Sequence, residues 1–255
     1  MFVVFQILLV PLQMRQYEVF WGMAFLGGIV VLSELMYSRM SESRVQIRVD
    51  MSHVRNLRWR EHALHHAVLP GLLYASGVLF MFFNRVRVLD QVAVVLLSGT
   101  FFGIFYNVSA TYSKMYTITR NTRLIFDFIN IIVFYFVTEA LINAVVYEGA
   151  ARSWIFVGGV LSTFILIGMM VSITKQSSNE IVAALVGTSI IVGVMVFGVW
   201  LIPVFNIAII SLVATVGFYL VDAFWHHRLE GSFSWDVMSQ YALYALMAII
   251  LLLYL

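Results

Sequence analysis

The stretch 153–173, SWIFVGGVLSTFILIGMMVSI, contains no charged side chain and no proline. Runs of this kind recur along the chain. About 20 apolar residues, rising 1.5 Å each as a helix, cross the roughly 30 Å of hydrocarbon in a bilayer. In lipid the backbone must satisfy its own hydrogen bonds, and a helix does so within one segment. The chain is 62% hydrophobic and only 11% charged, whereas a soluble domain usually carries about a quarter charged residues. The sequence therefore predicts an all-α fold, a polytopic bundle of transmembrane helices forming one integral membrane domain over 1–255.

Eight spans can be drawn, near 18–39, 62–83, 88–111, 123–147, 153–173, 180–200, 203–224 and 236–255. An alternative with seven spans joins 180–200 and 203–224 into a re-entrant pair around Pro203. Basic residues cross a membrane poorly and collect on its cytoplasmic side. With the N-terminus outside, the inner loops hold eleven of the Lys and Arg residues, from Arg39 to Arg60 and on to Lys114, Arg120, Arg123, Lys175 and Arg228. The outer side keeps four, Arg15, Arg85, Arg87 and Arg152. Trp21, Trp59, Trp154, Trp200, Trp225 and Trp235 all fall near span ends, where an amphipathic ring prefers to sit.

The first 13 residues, MFVVFQILLVPLQ, lack a basic lead and a small-residue cleavage site, so no signal peptide is expected. They read as an interfacial or partly inserted lead-in turned by Pro11. In loop 40–61, RVQIRVD (44–50) alternates apolar and polar residues with the period of a strand. A lone strand lacks a partner edge, so the stretch reads as an interfacial segment or as a strand completed by another protein. Within the spans, Gly27 and Gly28, then Gly158, Gly159 and Ser162, then Ala183, Gly187, Gly193 and Gly198 mark faces where helices can approach closely. Pro70 with Gly71 predicts a kink inside the second span.

Ionisable residues at membrane depth are expensive and call for a partner. Asp127 lies one turn after Arg123, and Asn130 and Thr138 share its side of the helix. Glu139 lies deeper, with Asn143 one turn on, and the expected partners are Asn107 or a tyrosine. This carboxyl is either a structural hydrogen-bonded group or one station of a proton relay.

The sharpest chemical pattern is REHALHHAVLPG (60–71), which places His62, His65 and His66 at i, i+3 and i+4 of a helix. All six histidines, including His53, His226 and His227, fall on the predicted inner side, and Asp222 precedes His226 by one turn. If the second and seventh spans touch, His62, His65, His66, His226, His227 and Asp222 can converge on an iron or zinc ion. The alternative is a polar collar where helices enter the interface, with no cofactor. The string H-x-x-H-H resembles one histidine box of the membrane fatty-acid desaturases and hydroxylases, which implies a di-iron centre and a lipidic substrate. The H-x-x-x-H box of that family is missing, and FWHHRLEG (224–231) supplies half of another. The chain has no cysteine, so disulfides, thiolate metal sites and cysteine nucleophiles are excluded.

Two further stretches, LRWREHALHHAVLPGLLYASGVLFMFF (57–83) and FYNVSATYSKMYTITRNTR (105–123), resemble an uncharacterised multi-pass family of candidate-phylum bacteria with small genomes. The resemblance implies a multi-pass protein of a bacterial cytoplasmic membrane with about eight helices, and it carries over no catalytic residues. The expected function is a non-enzymatic membrane scaffold or partner subunit. Its partners would be membrane lipids and another membrane or cytoplasmic protein, met through the basic loop 40–61. The alternatives are a histidine-dependent metalloenzyme acting on a lipid and a small proton-coupled transporter. A net charge of +2 gives no reason to expect nucleic acid.

Overall fold

The apolar runs fold as helices. In the computed structural model, residues 2–46, 68–113, 118–174, 179–202, 206–231 and 233–254 are described, with side chains omitted over 34–46, 105–113, 118–126, 172–174, 230 and 251–254. The helices are α1 (Phe2–Gln13), α2 (Tyr17–Gln46), α3 (Leu69–Phe83), α4 (Arg87–Ser113), α5 (Ile118–Tyr147), α6 (Ser153–Thr174), α7 (Asn179–Trp200), α8 (Ile207–Glu230) and α9 (Trp235–Tyr254). The described residues are otherwise turns and short connections. Among the described residues, five helices are long and apolar enough to cross a membrane: α4, α5, α6, α7 and α8. α7 and α8 each reach that length alone. The chain divides into two compact units, 1–129 and 130–255.

In the first unit α1 lies against α2 and α4, and α3 lies against the same two helices. Phe5 of α1 is fully buried, with its ring 5.8 Å from Tyr74 and 6.0 Å from Phe101. The Tyr74 hydroxyl donates to the Ala24 carbonyl at 2.7 Å. Gly27 and Gly28 make room for that ring: a Cβ on Gly27 would collide with the Tyr74 hydroxyl. The small-residue face expected in the first span is thus a seat for one tyrosine.

Two local expectations change, and a third falls partly outside the described residues. Pro11 lies inside the last turn of α1, and the chain turns later, at Arg15, which takes a left-handed φ of 58°. The turn is closed by the Gln16 amide donating to the Pro11 carbonyl at 2.8 Å, a bond that the missing N–H of proline leaves untouched. Residues 44–46 continue α2, so the start of the alternating stretch is helical, and 47–50 lie outside the described residues. Pro70 occupies the first turn of the described α3, where a proline removes no intrahelical bond; the residues that a kink would involve upstream, 61–67, lie outside the described set.

In the second unit α6, α7, α8 and α9 are successive neighbours, and α6 also reaches α8. Asn206 starts α8 by accepting the Ala208 amide at 3.3 Å, and Gly231 ends it in the left-handed conformation, φ 70°. The closest crossing is between α6 and α7. A Cβ on Gly159 would stand 3.2 Å from the Gly193 Cα, a backbone atom that cannot rotate away. Leu141 of α5 fills the space over Gly158. At one end of this pair the Arg152 guanidinium lies 5.9 Å above the Trp200 ring.

Gly187 belongs to the same sequence pattern, yet nothing stands within 4 Å of the Cβ it lacks. Gly159→Leu should therefore destabilise the protein in detergent by about 2 kcal/mol through overpacking. Gly187→Ala should leave the melting temperature unchanged or raise it, since alanine is the better helix former by about 1 kcal/mol. Thermal unfolding of the two variants beside the wild type checks both.

Candidate functional site

Hydroxyls are cheap inside a membrane helix because they can donate back to the carbonyl one turn earlier. Four buried hydroxyls of the second unit do this. Thr163 donates to the Gly159 carbonyl (2.8 Å), Ser189 to Leu185 (2.8 Å), Ser211 to Ile207 (3.1 Å) and Thr215 to Ser211 (2.7 Å). Such groups need no function to explain them. Carboxyls, carboxamides and indoles have no such easy remedy, and they gather along one seam.

On α8 the buried positions Ser211, Thr215, Phe218, Asp222, Trp225 and Leu229 recur at spacings of four and three, which aligns them on one helix face. On α5 two lines are buried side by side, Asn130–Phe134–Thr138 and Glu139–Asn143. Of the five long apolar helices α5 is the most enclosed. The two helices are locked in register by Phe134 and Phe218. Both rings are fully buried, with centroids 4.2 Å apart and planes inclined by 6°.

Glu139 lies to one side of that stack and is 2% exposed. The Asn143 amide donates to the Glu139 backbone carbonyl at 2.9 Å and stands 3.4 Å from Oε1. Ser211 of α8 and Tyr135, one turn back on α5, face the same carboxyl. A tyrosine is thus among the partners, as expected from the sequence; the side chain of Asn107 lies outside the described residues. With Phe134 facing Phe218 and Glu139 facing Ser211, α5 and α8 run antiparallel. Asn130, Asp222 and Trp225 lie on the other side of the stack, each at most 2% exposed.

Two of the six histidines fall among the described residues. His53, His62, His65 and His66 lie outside the described residues. His226 and His227 are adjacent on α8, with ring centroids 5.7 Å apart and planes at 81°, because neighbouring helix positions diverge by about 100°. His227 turns to α9, where its Nε2 stands 3.4 Å from the Tyr241 hydroxyl. His226 is the one that shares a face with Asp222, by the one-turn spacing. Among the described residues no three histidine, aspartate or glutamate side chains come together as a metal site would require.

The expectations missed part of this seam. Asp222 stood out only as the partner of His226, and Trp225 only as an interface marker, although Trp225 is 1% exposed inside the unit. The signal that joins them was present in the four-three spacing from Ser211 to Leu229. What the fold defines is an all-helical protein with helices long and apolar enough to cross a membrane and a polar seam between two of them. Compared with protein-family models, curated proteins and solved structures, the chain matches none.

The histidine cluster of the sequence makes a separate, measurable demand. A collar of interfacial histidines predicts less than one iron or zinc per chain by elemental analysis after gentle purification, unchanged by His66→Ala or His226→Ala. One metal per chain, lost in either variant, would establish the metal centre instead.

Proposed function

We propose that the protein is a multi-pass protein of a bacterial cytoplasmic membrane, crossing it eight times with its N-terminus outside. Its second unit acts as a small proton-coupled transporter. The observation that carries the reading is Glu139, a carboxyl 2% exposed near the middle of a membrane-length helix and surrounded by Asn143, Tyr135 and Ser211. A carboxyl at that depth is expensive, and the usual reason to keep one is movement of protons, ions or solutes. The Asn143 amide can donate to the carboxylate, the Tyr135 hydroxyl can donate to it or accept from the acid, and Ser211, whose proton goes to Ile207, can accept from the acid.

The distribution of polarity supports the same reading. The polar side chains that no hydroxyl-to-carbonyl bond explains lie on the facing surfaces of α5 and α8, whereas the outer surface of α7 is a run of exposed Val182, Val186, Ile190, Ile191 and Val194 suited to lipid. A scaffold or partner subunit would use the seam as interhelical glue alone. Its contact surface would be loop 40–61, most of which lies outside the described residues. The iron or zinc enzyme would need the second-span histidines that lie there too.

In vesicles loaded with a pH-sensitive dye and driven by a potassium diffusion potential, the reconstituted protein should carry protons about tenfold faster than empty vesicles. Glu139→Gln should return the rate to background while keeping the melting temperature, because the amide can retain contacts with Asn143 and Ser211. Wild-type flux equal to that of empty vesicles would refute the transport reading and leave the scaffold.

A further inference from the structure

Asn130 is completely buried, and neither its Oδ1 nor its Nδ2 has a hydrogen-bond partner among the described residues. The same holds for Nε1 of Trp225, which is 1% exposed. Buried polar atoms are paired in the great majority of cases, and each one left alone in an apolar surrounding costs about 1–3 kcal/mol. Three such atoms in one region of one small unit call for an account.

The register of the seam brings them together. Asn130 precedes Phe134 by four residues on α5, and Asp222 follows Phe218 by four on antiparallel α8. At 1.5 Å per residue both lie about 6 Å from the aromatic stack, on the same side of it. Trp225 is one turn beyond Asp222. Side chains lean toward the start of their own helix, so Trp225 leans back toward the level of Asp222. Asn130 leans forward to meet it, because its helix runs the other way. The two groups with unsatisfied atoms therefore approach one level from opposite helices, beside a carboxylate.

We infer that Asn130, Trp225 and Asp222 form a second polar pocket in the seam, that this pocket binds water, and that the Phe134–Phe218 stack seals it from Glu139. The chemistry of the lining selects the occupant. Asn130 Nδ2 and Trp225 Nε1 donate, and Asn130 Oδ1 and the Asp222 carboxylate accept. Water answers both demands in the smallest volume, and a buried water typically makes about three such bonds. Glu139 is about 14 Å along the seam from the Asp222 level, too far for a direct hydrogen bond, with two stacked rings between. The pocket rests on the unpartnered atoms of Asn130 and Trp225 and on the register of the two helices. Its role as a second station for the proton rests on the transport reading above.

The chain has no cysteine, so one introduced thiol reports on its own site. In the full-length protein in membrane vesicles, Asn130→Cys should react with the ammonium methanethiosulfonate reagent about tenfold faster than Ile142→Cys, since the reaction needs a hydrated thiolate. Ile142 is equally buried on the same helix and serves as the dry reference. Equal rates would overturn the pocket. Independently, Asn130→Leu, close in size and unable to hold water, should lower the melting temperature by about 4 °C. In a dry site the same change removes two unsatisfied atoms and raises it; a rise, or no change, would also overturn the pocket. If both results hold while the reconstituted protein carries no protons, the pocket stands and the transport reading falls.

Discussion

Inside hydrocarbon a polar group has no water to fall back on, and that single condition orders this structure from backbone to site. The backbone meets it by forming helices. Serine and threonine meet it by bonding to their own helix one turn back, as Thr163, Thr188, Ser189, Ser211 and Thr215 do. Once those groups are accounted for, the remaining buried polar side chains of the second unit are few. With Ser162 also bonded to its own helix, at the Gly159 carbonyl, those left among the described residues are Asn130, Thr138, Glu139, Asn143, Asp222 and Trp225, and all belong to α5 and α8. The seam is what is left when local solutions have been exhausted.

Close approach between helices is the second consequence. Lipid tails are as apolar as leucine, so helices gain little by hiding apolar surface from lipid and must gain by contact instead. Gly159 and Gly193 let two backbones meet, and Gly27 and Gly28 admit the Tyr74 ring, whose hydroxyl then finds a carbonyl of α2. The two crossings share a composition but differ in kind. One brings backbone to backbone; the other accommodates an aromatic side chain with a polar tip.

These distinctions set the limit of what the sequence makes legible. Hydropathy reads the long helices to within a few residues at most of their ends, because the length of an apolar run is a property of consecutive residues. Which glycine is a contact is another matter: Gly187 and Gly193 stand in one helix at similar spacing, yet only Gly193 meets a neighbour within 4 Å. The turn after α1 was assigned to Pro11 and falls at Arg15, since a proline near the end of a helix can be carried in its last turn. Glu139 was recognisable by its depth, and Asn143 by its one-turn spacing. Ser211 was not, because it comes from a helix 72 positions away, and the pairing of α5 with α8 depends on the Phe134–Phe218 stack rather than on any pattern within either helix.

The two buried asparagines of α5 show why the seam divides into unlike halves. Asn143 has a carbonyl one turn back, on Glu139, and uses it at 2.9 Å. Asn130 has a carbonyl one turn back as well, on Phe126, and does not use it. The same residue on the same helix, equally buried, thus adopts a local solution in one place and leaves it untaken in the other. A carboxamide that bonds to its own helix is spent on structure and helps to hold Glu139 in place. One that leaves a local bond unmade keeps both its donor and its acceptor available across the seam, at a level where Trp225 does the same. Between them lie two rings with no polar atom to offer, and that dry layer separates two polar levels along the seam: a carboxyl contacted by Asn143 on one side, with its Oε2 left over, and the amide of Asn130 and the indole of Trp225 on the other.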